Sequence, residues 1–191
     1  MSHDDKRQRI LAAATAVFAE RDFHQVLVSE VASRAGVGKG TVYLYFPTKD
    51  DLHRVALEGS LECVAVEIER AADADAAAAD VLREIVAVIL RFFWRRQHLL
   101  TVVQRYEQRH ARRARERRQR VVGVVERVLA RHRLGGSGGR HLASAFLFGL
   151  ARAAILEHGP DDRPDAVAHR IVDLYLHGIG GAGTRRQRGA A

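Results

Sequence analysis

Residues Glu30 to Leu52 read EVASRAGVGKGTVYLYFPTKDDL. Within this stretch Ala32, Gly36 and Val42 fall at the spacing of a helix-turn-helix. The small side chain of Ala32 lets two helices approach closely, and Gly36 takes a left-handed turn that a Cβ resists. The β-branched Val42 plugs the second helix into the first. The pattern predicts helices over about 28–35 and 39–46, the second placed to enter a DNA major groove. Pro47 disfavours helical geometry in the residue before it and stops that helix. Thr48, with Asp51 three residues on, predicts the capped start of another helix.

Working outward, the chain keeps a helical period and shows no strand-like alternation. On the N-terminal side, about 4–21 carries Ile10, Ala14, Val17 and Phe18 on one face, with Asp4 and Asp5 at the positive end of the helix. On the C-terminal side a fourth helix runs to about Arg70, with Leu52, Val55, Ala56 and Cys63 expected to face inward. The segment AADADAAAAD, residues 71–80, shifts composition and suggests a joint. Beyond it Leu82, Ile85, Val86, Ile89, Leu90 and Phe93 share a helix face. A short helix is expected over about 98–104, then a long one to about 132 with Val121, Val125, Val128 and Leu129 apolar. GGSGG at 135–139 reads as a loop. Leu142, Phe146, Gly149, Leu150, Ala153 and Leu156 are in register on the next helix. A turn at Gly159–Pro160 leads to Pro164, placed in the first turn of a last helix with Val167, Ile171, Leu174 and Tyr175. The fold class is therefore all-α: a three-helix head over 1–49, a roughly six-helix body over 50–178, and a Gly- and Arg-rich tail over 179–191 expected to be disordered.

Composition narrows the function. The chain has 191 residues, 47% of them hydrophobic, which suits a globular protein. Its single cysteine excludes an intrachain disulfide. The opening MSHDDKRQR has no apolar run behind it, and no stretch approaches a membrane span, so a cytoplasmic protein without a membrane partner is expected. The net charge of +8 favours an anionic partner. The head holds only seven of the Lys/Arg residues, against five Asp/Glu, yet all three lysines (Lys6, Lys39, Lys49) lie in it.

The segments ILAAATAVF (Ile10 to Phe18) and VASRAGVGKGTVYLYFPTKDDL (Val31 to Leu52) together resemble the DNA-binding head of the TetR family of bacterial transcriptional regulators. The resemblance covers about a quarter of the chain and rests on the AGV turn, the KGTxY core and the YFxxKxxL exit. It implies an all-α homodimer whose variable body is regulated by a ligand. Asp22 stands where the family usually has glycine, Val26 and Leu27 where a Ser/Thr caps the second helix, and Gly38 where a serine is common. In this frame Lys39 and Tyr43 are the candidates for reading bases. Gly40 allows close backbone approach, Thr41, Tyr45 and Ser29 are candidate contacts, and Lys49 suits a phosphate at a helix start.

A two-fold dimer would read two half-sites. Phe146, Gly149 and Ala153 on one helix and Ile171, Leu174 and Tyr175 on another form the candidate dimer surface, the alternative being that these faces are intrachain core. Phe92, Phe93, Trp94, Tyr106, Phe146 and Phe148 are the candidate lining of a ligand pocket for a small apolar or amphipathic effector. Arginine fills half the positions from Arg105 to Arg120, either as a solvated helix face or as a site for an anionic group. The ten histidines show no i, i+3 or i, i+4 pair, so no metal is expected, and no cofactor. The only Gly-x-Ser-x-Gly match is the loop GGSGG, with no strand before it, so no enzyme is expected. The expectation is a repressor released from a double-stranded operator by its ligand. The alternatives are an activator, a ligand-independent regulator, or a helical ligand-binding or enzymatic protein that has lost DNA reading.

Overall fold

The computed structural model describes residues 3–95, 99–136, 138–159 and 161–181, with backbone only for 99–102 and 179–181. His98, Ser137, Pro160 and the expected tail from residue 182 onward lie outside the described residues. All described secondary structure is helical: α1 (His3–Glu20), α2 (Val28–Ala35), α3 (Lys39–Tyr45), α4 (Lys49–Ala72), α5 (Ala78–Trp94), α6 (Leu99–Arg109), α7 (Ala111–Arg131), α8 (Arg140–Glu157) and α9 (Pro164–Gly181). The architecture is the expected N-terminal helix-turn-helix followed by a helical body. No helix among the described residues is long and apolar enough to cross a membrane.

Local chemistry sets several helix ends. Thr48 caps α4: its Oγ1 accepts from the Asp51 amide at 3.0 Å and donates to Asp51 Oδ2 at 2.7 Å. α9 begins at Pro164 and is broken at Gly178, where φ is 67°.

Three features depart from the expectation. Cys63 is exposed, not inward. The buried line of α4 runs through Leu52, Ala56, Leu57, Leu61, Ala65, Ile68 and Ala72. Cys63 sits two residues from both Leu61 and Ala65, about 200° around the helix from that line. The expected short helix is longer, ending at Arg109, and α7 starts only at Ala111. The boundary falls at His110, whose ring stacks on Tyr106 with centroids 4.5 Å apart. On α8 the register set Leu142, Phe146 and Leu156 points outward, and Ser144, Leu147, Ala151 and Ala154 are the buried residues.

Two compact units result. One comprises Met1–Cys63 and His98–His110, the other Val64–Gln97 and Ala111–Ala191. The first is built on Ile10, Ala14, Val17 and Phe18 of α1 packed with Val31, Ala32, Val42, Phe46 and Leu52. Within it Tyr106, itself buried, donates its hydroxyl to Glu58 Oε1 at 2.6 Å.

In the second unit α5 is buried over most of its circumference, at Val81 and Leu82, from Ile85 to Leu90, and again at Phe92 and Trp94. The remaining strip of the helix carries Asp80, Arg83, Glu84 and Arg91, which keep contact with solvent. Two arginines clamp it antiparallel to α9: Arg83 Nη2 donates to Asp173 at 2.9 Å and Arg91 Nη1 to Asp165 at 2.8 Å. The Arg83 guanidinium, through its hydrogen bond, holds the Asp173 carboxyl below the usual carboxylate range.

Candidate nucleic-acid interface

The α2–α3 turn is built as its sequence dictates. Gly36 has φ 65° and ψ 39°. Its amide donates to Ser33 O at 3.1 Å, and that of Val37 donates to Ala32 O at 3.0 Å, the paired bonds of a Schellman motif. The α2 start departs from the usual hydroxyl cap. Leu27 has no polar side-chain atom, but its amide donates to Glu30 Oε2 at 3.1 Å, so one half of a capping box survives. This bond, then the guanidinium of Arg21 at 2.8 Å, holds the Glu30 carboxyl below its ordinary range. Sequence reading missed Glu30 because the search began from a hydroxyl at the cap.

Gly38 is the N-cap of α3. Phe46 closes the helix in extended geometry, its amide donating to Val42 O at 2.9 Å, as the residue before Pro47 must. Val42 and Phe46 anchor the helix in the core of the first unit. Thr41 and Tyr45 are half-buried on its flanks, whereas Lys39, Gly40, Tyr43 and Leu44 are exposed. Leu44, absent from the expected contacts, is 84% exposed, more than any other large hydrophobic residue described.

Contacts within the unit orient the polar candidates. Lys39 Nζ lies 6.0 Å from the Tyr43 ring centroid and Lys49 Nζ 4.4 Å from that of Phe23, the latter a close cation–π contact. The Tyr45 ring lies 4.5 Å from that of His3. Ser29 is exposed on the first turn of α2. Arg21 and Arg34 are engaged by Glu30 and Glu20, each at 2.8 Å. The arrangement is one exposed helix face with ammonium groups beside it.

The other candidate residues divide between the units. Phe92 and Phe93 meet edge to face at 5.1 Å, Trp94 is buried beside the His158 ring, and Phe148 is half-buried, all in the second unit. The Trp94 Nε1 donor is buried with no hydrogen-bond partner. Tyr106 belongs to the first unit. Phe146 is exposed with its ring 6.5 Å from that of Tyr175. Gly149, Ala153 and Leu174 are exposed as well, whereas Ile171 is buried in the core of its own unit. The arginine run is partly paired: Arg120 holds Glu69 through two hydrogen bonds of 2.7 and 2.8 Å, and Arg112 pairs with Glu116 at 3.0 Å. No cluster of three or more metal-ligating side chains occurs among the described residues.

Residues 10–55 match the model of the bacterial regulatory proteins of the tetR family. The chain is 49% identical over 47 residues to a fatty acid metabolism regulator protein of Bacillus subtilis (strain 168), a stretch covering 25% of this chain and 24% of that protein. The match thus spans about a quarter of that relative's length. Its fold is similar to that of a TetR/AcrR-family transcriptional regulator from Thermobifida fusca YX-ER1, with a TM-score of 0.73, 22% identity and 92% and 98% of the two chains covered. It is similar also to FadR from Bacillus subtilis in complex with stearoyl-CoA, with a TM-score of 0.69, 21% identity and 90% and 98% covered. At these identities the structural likeness concerns the fold.

Proposed function

We propose, from the premise that this chain belongs by its head and its fold to the tetR family of bacterial regulatory proteins, that it is a cytoplasmic, dimeric DNA-binding transcriptional regulator. The observation that carries this reading is α3: a short helix anchored by Val42 and Phe46, with Lys39, Gly40, Tyr43 and Leu44 exposed. Lys39 and Tyr43 read or flank bases, while Thr41, Tyr45, Ser29 and Lys49 hold phosphates and fix register. Residues 1–49 serve DNA binding and 50–178 serve regulation and dimerisation.

In this reading the dimer is a repressor released by a small apolar or amphipathic molecule. Support for that class comes from the aromatic residues of α5, from the unpartnered Trp94 donor that a polar ligand atom would satisfy, and from similarity to a fatty acid metabolism regulator and a stearoyl-CoA complex. Phe146, Gly149 and Ala153 of α8, with Leu174 and Tyr175 of α9, form the dimer surface. The ligand acts by binding one spacing of the two heads better than another, since only differential affinity shifts an equilibrium.

A gel shift of the whole chain on the DNA flanking its own coding region tests this, with and without a series of fatty acids and their CoA thioesters. Saturable retardation that weakens with salt, and is reversed by one of these ligands, is the expected result. Binding no tighter than to unrelated duplex would overturn the regulator reading. Tight binding unmoved by every ligand would overturn the ligand class.

A further inference from the structure

Leu44 is 84% exposed on the helix that the DNA-binding reading places in the major groove. At 3.6 residues per turn it lies about 180° from the midpoint of Val42 and Phe46, the two residues that anchor α3. It therefore marks the outermost line of the helix. Gly40 shares that line one turn earlier.

Gly40 has no internal reason to be glycine. Its φ is not positive, and a methyl group there would meet nothing within 4 Å. A helical glycine costs about 1 kcal/mol relative to alanine. An outside surface that must approach the backbone is the use the geometry offers for that missing methyl. Leu44 leans back over the same turn, as helical side chains do. Lys39 and Tyr43 flank this line on one side, Thr41 and Tyr45 on the other. The face is thus an apolar ridge bordered by groups that bond phosphates.

A leucine side chain has no donor or acceptor, so it cannot read the hydrogen-bonding edges of G, C or A. The thymine C5-methyl is the apolar feature of the major-groove floor. We propose that Leu44 is a specificity-determining residue that packs on a thymine methyl, with Gly40 giving the clearance that brings it there. This rests on the DNA-binding reading of α3.

The test uses the whole chain and duplexes that it selects from a random pool. In the selected sequence each thymine is replaced singly by deoxyuridine, which removes only the methyl. For the natural chain, one position per half-site should lose about fourfold in affinity, the worth of one buried methyl. For Leu44→Ala the same replacement should change nothing, and Leu44→Gln should move the preference there from thymine to adenine. Leu44 is exposed, so both variants should keep the natural melting temperature. If deoxyuridine costs the natural chain and Leu44→Ala equally, or costs neither, the role of Leu44 is overturned while the DNA reading stands. If no sequence is enriched, the DNA reading falls and this inference with it.

Discussion

Arg9 Nη2 of α1 donates a 2.6 Å hydrogen bond to the carbonyl oxygen of Ala35, the last residue of α2. It occupies the space a side chain at Gly36 would need: a methyl group there would lie 2.6 Å from the same nitrogen. The turn is thus held twice, by a left-handed glycine and by a guanidinium that caps the preceding helix. Arg9→Met should cost about 1–2 kcal/mol, the lower range for a charge-assisted hydrogen bond because Arg9 is half-buried. Gly36→Ala should cost about as much for its backbone alone. Since Gly36→Ala also displaces Arg9, the double variant should lose less than the sum. Urea melts of the four proteins check this, and strict additivity would mean that the two residues act independently.

Glu30 supplies the half of the capping box that needs no hydroxyl at Leu27, by accepting from the Leu27 amide. Its carboxyl is held below its ordinary range, first by the Leu27 amide and then by Arg21. A depressed carboxylate contributes stability above its unfolded pKa, and that stability is lost as pH falls through the folded value. At neutral pH Glu30→Gln should therefore melt lower than the natural chain, and the gap should close below about pH 4, the ordinary glutamate range. A gap that persists undiminished at pH 3 would assign the effect to packing instead of charge. Leu27→Ser should raise stability by about 1 kcal/mol by completing the box.

The turn and the helix starts were legible because they are matters of local backbone chemistry. Gly36, Pro47, Thr48 and Pro164 each restrict or satisfy their own neighbourhood, whatever the tertiary structure does. Covering was not legible. The period marks Leu142, Phe146 and Leu156 as apolar and in register, but cannot say whether a neighbour lies over them. Cys63 looks inward from Leu52 and outward from Leu61, because the buried line of α4 is followed over six turns. The break at His110 lies in a run of arginines with no apolar period at all, and Tyr106 marks it only through a stacking contact. Leu44 escaped notice for a related reason: sequence reading seeks polar groups for DNA, and a leucine on a short helix reads as core.

Lys39 and Lys49 should separate in their effects. Lys49 Nζ sits 4.4 Å from the Phe23 ring centroid at the start of α4, where amides and charge together suit a phosphate. Lys49→Ala should weaken binding to all duplexes alike and reduce the slope of log affinity against log salt by about one per head. Lys39→Ala should relax sequence preference while leaving weak nonspecific binding. Fluorescence anisotropy across a salt series, on selected and scrambled duplexes, distinguishes the two. Full retention of selectivity in Lys39→Ala would remove it from base reading.

Leu142, Phe146, Gly149, Ala153 and Leu156 follow one another along α8 at alternating steps of four and three residues, and the three large ones are exposed. This is the spacing of a helix–helix seam. Phe146 is 58% exposed, so Phe146→Arg should leave the melting of a diluted sample nearly unchanged. It should convert a dimer into a monomer in sedimentation velocity and lower operator affinity at least tenfold, because one head alone reads a single half-site. A variant that remains dimeric would place the dimer surface elsewhere.

Gly40→Ala sets stability and function in opposition. A methyl group at Gly40 meets no atom of the chain within 4 Å, and alanine is the better helix former by up to about 1 kcal/mol. The variant should melt at or above the temperature of the natural chain. The same methyl would stand on the outermost line of α3, between the backbone and any groove floor it approaches, so affinity for selected duplexes should fall several-fold. Measuring both on one preparation makes the comparison internal. A rise in stability with unchanged affinity would mean that the backbone of α3 does not come close to DNA at Gly40, and that the glycine serves nothing the helix face does.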